Sequence, residues 1–264
     1  MIPYETPSEP SADRAVAVSD RPAYTPRSGG QSRRLMAFIE VVVCSGFPTQ
    51  LALAVLLGTM GLGAFNRESG LSFGYVITLS LADTILLIGL IFYFLRVHRE
   101  SICELVLGKR STRGEVSLGL LLIPVMVLVA VAGLTVIHWI APSLRNVPEN
   151  PFEALLSTPA RAVAFALVAI VAGGLREELQ RAFILRRFEQ HLGGGWFGLV
   201  VFSVAFGFGH QIQGWDAAII TGSLGAIWGA IYLVRRNIVA SMISHAGFNV
   251  TEIALALSTQ NPAN

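Results

Sequence analysis

The chain has 264 residues, of which 53% are hydrophobic and only 14% are charged, and its mean hydropathy is +0.61. Ordinary soluble domains carry about 25% charged residues, so this composition excludes a soluble domain and predicts an integral membrane protein. No basic patch interleaved with aromatic residues is present, which excludes nucleic acid as a partner. The two cysteines, Cys44 and Cys103, have no disulfide-framework or CxxC spacing and are predicted to be free thiols.

Residues 1–34 are rich in proline, serine and charged residues and have no hydrophobic periodicity. This composition predicts a disordered cytoplasmic tail. The apolar segment that follows is too long for the hydrophobic region of a signal peptide, so no cleaved signal is predicted.

Seven apolar stretches follow the tail, each near the roughly 20 residues that cross a bilayer as a helix. They cover residues 35–65, 71–95, 116–141, 161–184, 196–212, 215–234 and 238–257. The pattern predicts an all-α polytopic transmembrane helix bundle with about seven spans, and an eighth, half-inserted helix is the alternative. We divide it into N-terminal transmembrane helices over 35–141, an extracytoplasmic loop over 142–160 and a transmembrane core over 161–258.

Polar residues interrupt the first two stretches. Pro48 in the first predicts a kink, whose freed backbone carbonyls are met by a neighbouring helix or by Thr49. Asp83 in the second is a functional candidate because charge at membrane depth is costly. A hydrogen-bonded structural role is the alternative, since the sequence shows no partner for Asp83.

Basic residues concentrate in alternate connections between the stretches, which is the pattern of the positive-inside rule. The basic connections contain Arg33, Arg34, Arg96, Arg99, Lys109, Arg110, Arg113, Arg186, Arg187, Arg235 and Arg236, whereas the opposite ones hold Arg67, Arg145 and Arg161. We therefore predict a multi-pass protein of the plasma or inner membrane, with its N-terminus in the cytoplasm and its C-terminus outside.

A group of charged residues lies directly after the apolar run of the fourth stretch: Glu177, Glu178 and Arg181. Arg181 is four residues beyond Glu177 and three beyond Glu178, so on a helix one guanidinium can reach either carboxylate. The other carboxylate is then free for another role. The alternative is a cytoplasmic helix end with solvated charges.

Two histidines occur in the later stretches. His210 follows Phe206 by four residues, and His245 precedes Asn249 by four, so each pair shares a helix face. A single intramembrane histidine is as often structural as catalytic. Two histidines, an amide and a glutamate pair on three spans predict a shared polar site.

These residue types can hydrolyse an amide without a serine or cysteine nucleophile. A carboxylate beside a neutral imidazole can deprotonate water, and a second histidine with an amide can donate hydrogen bonds to an oxyanion. One glutamate and two histidines, Glu177, His210 and His245, can equally hold zinc with an open water position. The HExxH spacing is absent, so no cofactor is favoured and zinc is the alternative.

The same residues could also serve a non-catalytic membrane scaffold, or an ion- or proton-coupled transporter. Carriers often contain internal repeats with broken helices at matching positions. The two halves of this chain show no such repeat, and the polar residues concentrate in the C-terminal part.

Three segments resemble the ordered motifs of the CPBP intramembrane proteases, which process CAAX proteins and bacteriocins and are also called the ABI or type II CAAX protease family. The segments are EELQR at 177–181, FGFGH at 206–210 and HAGFN at 245–249. The resemblance covers 161–257. The family usually has three residues between the glutamate pair and the arginine, whereas two intervene here, a shift of about 100° around a helix.

The resemblance implies an intramembrane endopeptidase that hydrolyses a peptide bond near the cytoplasmic membrane face. In that role Glu177 acts with His210 to activate water, while His245 and Asn249 stabilise the oxyanion. The family has been described both as metal-dependent and as glutamate-dependent, and we favour the metal-free glutamate mechanism.

The resemblance also assigns supporting residues and partners. Glu178 is counted with the catalytic residues and supports the site, Arg181 holds a carboxylate, and Phe206 is a further supporting residue. The implied substrates are membrane-associated peptides or proteins, including lipidated ones, and the implied environment is the bilayer.

Overall fold

The computed structural model describes residues 29–66 and 70–260. The described residues are mostly helical, and their only extended pairing is an isolated bridge between Phe65 and Leu71. The α-helices are α1 (Gly29–Val43), α2 (Phe47–Thr59), α3 (Phe73–Val97), α4 (Ile102–Val106), α5 (Thr112–Ile140), α6 (Pro159–Val168), α7 (Glu177–His191), α8 (Gly195–Phe208), α9 (Trp215–Arg235) and α10 (Val239–Gln260). The all-α class is confirmed.

The predicted tail overlaps the first helix. Residues 1–28 lie outside the described residues, whereas residues 29–34 belong to α1. Arg67, one of the basic residues from which the membrane orientation was predicted, also lies outside the described residues. Residues 29–34 contain no apolar side chain, so hydropathy placed them in the tail. Arginine and glutamine nevertheless have good helix propensity and extend the apolar helix that follows.

Each of the seven predicted stretches corresponds to helical structure, but fewer helices are long and apolar enough to cross a membrane alone. Three described helices meet that condition, α3, α5 and α9, and a fourth does if α1 and α2 count as one bent span. The 14-residue α8 is too short. The polar residues His245, Asn249 and Glu252 lower the hydropathy of α10.

The predicted kink in the first stretch is confirmed. Helices α1 and α2 meet at an angle of 44°, with Gly46 at a φ of 88° in the break. Thr49 Oγ1 donates to the carbonyl of Gly46 at 3.0 Å, and Gln180 Nε2 of α7 donates to the carbonyl of Cys44 at 2.8 Å. Thr49 and a neighbouring helix thus both satisfy carbonyls freed by the break.

A π-helical segment, Ala169–Arg176, joins α6 to α7 and ends directly before Glu177. Such segments are rare and often lie at functional sites. Gly174 packs so closely on α10 that a Cβ there would lie 2.7 Å from the Cβ of Ala246. The missing side chain lets α10 approach the start of α7.

Helix α7 lies at the centre of the bundle. Its segment from Glu178 to Leu185 is buried throughout, and its apolar residues share one core cluster with α3, α8 and α9. A second cluster around Trp228 joins α5, α9 and α10. By contrast α5 exposes large apolar side chains, including Leu121 and Leu128, as expected of a helix that faces lipid.

Candidate active site

Glu178 is held by two neighbours in the centre of the bundle. Arg181 donates from Nη1 to Glu178 Oε1, and His245 Nδ1 lies 2.9 Å from the same oxygen. The side chains of Glu178 and Arg181 are 1% and 0% exposed. A buried carboxylate needs such an opposite charge and hydrogen bonds, so this ion pair fixes Glu178.

Arg181 is surrounded by aromatic rings on its remaining sides. Its guanidinium carbon lies 4.9 Å from the centroid of Phe206 and 5.9 Å from that of Trp228. Its Nε and Nη2 have no hydrogen-bond partner among the described residues. Cation–π attraction therefore supports the part of the guanidinium that Glu178 does not reach.

The imidazole of His245 is oriented from two directions. It stacks on Trp228 with ring centroids 3.9 Å apart and planes 15° apart, and Trp228 Nε1 donates to Ser244 Oγ at 3.2 Å. Because Nδ1 donates to Glu178, Nε2 is the free nitrogen, and it lies 3.8 Å from Glu177 Oε2.

Glu177 differs from its neighbour because it faces a cavity. The cavity has a volume of about 310 Å³ and is lined by Glu177, His210 and Asp83 among others. The closest cation to Glu177 is Arg176, whose Nη2 lies 3.4 Å from Oε1. Glu177 is thus the less restrained of the two glutamates.

His210 lies just beyond the end of α8, on a turn rather than in mid-helix. Its Nδ1 is 2.9 Å from the carbonyl oxygen of Phe206. A carbonyl only accepts, so Nδ1 carries the hydrogen and Nε2 of the neutral ring has a free lone pair. The Phe206 ring lies 4.8 Å from His210 and 6.4 Å from His245, between centroids.

Asn249 lies one turn beyond His245 on α10. Its Nδ2 donates to the carbonyl of Ala169 in the π-helical segment at 3.4 Å. A Cβ at Gly173 would clash with this amide and lie 3.8 Å from His245 Nε2, so Asn249 and His245 approach the same glycine.

Asp83 has partners that the sequence did not reveal. It accepts a hydrogen bond from Gln50 Nε2 at 3.2 Å, and Arg176 Nη1 lies 3.6 Å away. Thr49 Oγ1 lies 2.6 Å from Asp83 Oδ1 and shares its one hydroxyl hydrogen between this carboxylate and the carbonyl of Gly46. The only sign of these partners in the sequence was that Thr49 and Gln50 are polar residues within an apolar stretch. Trp228, which orients His245, gave no signal, since a tryptophan in an apolar helix resembles any core residue.

The predicted zinc ligands do not form a ligand set. No group of three His, Cys, Asp or Glu residues that could hold a metal occurs in residues 29–66 and 70–260. Glu177 Oε2 lies 3.8 Å from His245 Nε2, but His210 does not complete a three-residue group with them. We therefore derive no step through zinc.

Residues 159–251 match the family model described as type II CAAX prenyl endopeptidase, Rce1-like. Over this segment the chain is similar to that family. The segment begins with α6, ends within α10 and contains all three motifs, which confirms the resemblance to the CPBP family. Comparisons with curated proteins and with solved structures gave no match.

Proposed function

We propose that the protein is an intramembrane endopeptidase of the type II CAAX class, which hydrolyses a peptide bond with a water molecule activated by Glu177 and His210. The observation that carries this proposal is that the two side chains, from α7 and from the turn after α8, line one cavity. The similarity to the Rce1-like family over 159–251 supports the reaction class.

Glu177 is the better general base of the glutamate pair. Its contact with Arg176 is 3.4 Å long, at the weak end of hydrogen-bond geometry, so its oxygens can accept a proton from water. Glu178 is occupied by Arg181 and His245. Its role is to hold His245.

His210 offers its free Nε2 to the same water. In the first step the water oxygen bonds to the carbonyl carbon of the substrate, and the proton of the water passes to Glu177 or His210. In the second step the C–N bond breaks and that proton passes to the leaving amine. No covalent intermediate with the protein is needed.

His245 and Asn249 supply the hydrogen bonds for the oxyanion. Because Glu178 engages Nδ1 of His245, a hydrogen bond from this ring to the oxyanion comes from Nε2. The 3.4 Å bond from Asn249 to Ala169 is weak, so this amide can turn to a stronger acceptor.

The cavity suits a substrate with an apolar part. Beside its polar residues it is lined by apolar and aromatic side chains from α2, the start of α3 and their connection: Phe47, Leu71, Tyr75, Val76 and Leu79. We infer a membrane-associated peptide or protein substrate, including a prenylated C-terminal segment.

A peptide-cleavage assay on the purified protein in lipid tests this function, with prenylated and unmodified peptides as substrates. We expect Glu177→Gln and His210→Ala each to lower kcat by about 10²- to 10⁴-fold, the usual range for losing a general acid or base. We expect His245→Ala to lower kcat by about 10²- to 10³-fold, the usual range for losing an oxyanion donor. The matched control is Glu149→Gln, because Glu149 is exposed and lies in the loop between α5 and α6. Thermal unfolding in detergent verifies that each variant is folded.

The same assay with a strong zinc chelator distinguishes the mechanisms. Cleavage that survives chelation and is lost in Glu177→Gln supports the proposal. Full activity of Glu177→Gln contradicts the assigned base, and loss of wild-type activity on chelation, restored by zinc, replaces the metal-free mechanism by a metal-dependent one.

One observation favours a second candidate, an ion- or proton-coupled carrier. Asp83, Glu177 and His210 line the same cavity, as the titratable groups of a proton relay would. Proton flux into proteoliposomes that Asp83→Asn abolishes, together with no cleavage of any peptide in the panel, would favour the carrier.

A further inference from the structure

A second cavity, with a volume of about 720 Å³, lies outside the candidate active site, between the ends of α7 and α9 and the segment that precedes α5. Five basic side chains line it: Lys109, Arg110, Arg186, Arg235 and Arg236. Two carboxylates, Glu104 and Glu189, also line it, so the cavity wall has a net formal charge of +3.

The cavity lies where two apolar helices end. Arg110 comes two residues before the start of α5, and Arg235 is the last residue of α9, both of them helices long and apolar enough to cross a membrane. Their ends lie at the depth of the lipid headgroups. Val234, which is 64% exposed, adds an apolar side chain to the cavity wall.

Three of the five basic side chains are already paired. Arg235 binds Glu115 through Nε at 2.8 Å and Nη2 at 2.6 Å, and Arg186 Nε lies 2.9 Å from Glu100 Oε2. Arg236 binds Glu189 and, mainly through this hydrogen bond, holds the pKa of that carboxyl below its usual range.

Lys109 and Arg110 lack such partners. Within residues 29–66 and 70–260 neither has a carboxylate at ion-pair distance, and Arg110 uses only Nε, which donates to the carbonyl of Arg235 at 3.2 Å. Both side chains are exposed. Two positive charges at one cavity therefore remain available to an anion.

We propose that this cavity binds the phosphate headgroup of an anionic phospholipid, with Lys109 and Arg110 contacting the phosphate. Basic pockets at the ends of transmembrane helices bind such headgroups, and guanidinium groups pair well with phosphate. Inorganic phosphate carries the same kind of charge as the headgroup, but it has no apolar part that could contact Val234. This site is independent of the proposed peptidase activity.

Binding to the purified full chain in neutral detergent tests the proposal. The probes are dihexanoyl phosphatidylglycerol, dihexanoyl phosphatidylcholine and inorganic phosphate, and the readout is the saturable shift in the thermal unfolding midpoint. We expect phosphatidylglycerol to shift the midpoint more than the other two probes do. The Lys109→Gln/Arg110→Gln variant should raise the Kd for phosphatidylglycerol by about 30-fold, since each basic residue contributes about 1 kcal/mol to such binding.

The matched control is Arg96→Gln/Arg113→Gln, which removes the same charge from exposed residues that do not line the cavity. This control should leave the Kd unchanged. Equal losses in both variants, or equal binding of the two lipids, would overturn the proposal. Phosphate binding as tight as that of phosphatidylglycerol would overturn its lipid part. If the double variant unfolds, Lys109→Gln alone provides the test and should weaken phosphatidylglycerol binding about fivefold.

Discussion

Arg176 lies between two carboxylates, with Asp83 at 3.6 Å and Glu177 at 3.4 Å. The guanidinium also donates to Gln180 Oε1 at 3.2 Å, which fixes its position. Asp83 therefore competes with Glu177 for one cation. In this arrangement Asp83 acts as a positioning residue, because it limits how strongly Arg176 binds the proposed base.

Asp83→Asn tests this competition. The substitution keeps the shape of the side chain but removes its charge, so Arg176 should bind Glu177 more tightly and make it a poorer base. We expect kcat to fall about tenfold, equivalent to about 1.4 kcal/mol on the barrier, with KM little changed. Steady-state cleavage kinetics measure the two constants separately.

Asp216→Asn is the matched control, because Asp216 is also buried but pairs with His138 and does not line the active-site cavity. It should affect unfolding rather than kcat. An unchanged kcat in Asp83→Asn would show that the charge of Asp83 does not affect Glu177 through Arg176.

At the scale of single residues, the sequence motifs predict the two glutamates, Arg181 and both histidines as candidate site residues. The structure pairs Arg181 with Glu178, three residues earlier, so the shortened spacing still allows an ion pair. Partners were harder to predict. Asp83 contacts Arg176 because α3 packs on the π-helical segment. The sequence does not show which helices pack on each other, so this contact could not be predicted.

At the scale of helices, the close approach of α10 to the π-helical segment predicts a sensitive glycine. In Gly174→Ala the added Cβ would lie 2.7 Å from Ala246 Cβ, and a shift of α10 that relieved this contact would displace the neighbouring His245. We expect a loss of about 1 to 3 kcal/mol in stability, the usual effect of overpacking, and lower activity at temperatures where the variant stays folded. Thermal unfolding and cleavage assays measure both.

Gly89→Ala is the control for this experiment. Gly89 lies in the interior of α3 and is exposed, and a Cβ added there would meet no atom of another helix within 4 Å. Alanine there should be neutral or stabilise by about 0.5 to 1 kcal/mol. Equal behaviour of the two variants would mean that α10 can move away without consequence.

Apolar length predicted the helices themselves, because each predicted stretch is helical. Their internal irregularities were only partly predictable. Pro48 indicated the break between α1 and α2, since proline lacks the backbone donor. The π-helical segment before Glu177 has no comparable signal, because its apolar residues fit an ordinary α-helix equally well.

At the scale of the whole molecule, labelling of the two free cysteines can test the predicted orientation of the chain in the membrane. Cys103 in α4 is exposed and lies in the basic connection between α3 and α5, which the positive-inside rule assigns to the cytoplasm. Cys44 is buried and should stay unlabelled from either side. A membrane-impermeant maleimide should therefore label inverted vesicles at Cys103 and leave intact cells unlabelled.

Ser143→Cys in a Cys103→Ser background is the reciprocal probe, because Ser143 is exposed in the connection between α5 and α6, which we assign to the outside. It should be labelled in intact cells. The reverse result for both cysteines would invert the orientation. Lys109, Arg110, Arg235 and Arg236 would then face away from the cytoplasm, and the proposed headgroup site would have to draw its lipid from the other leaflet.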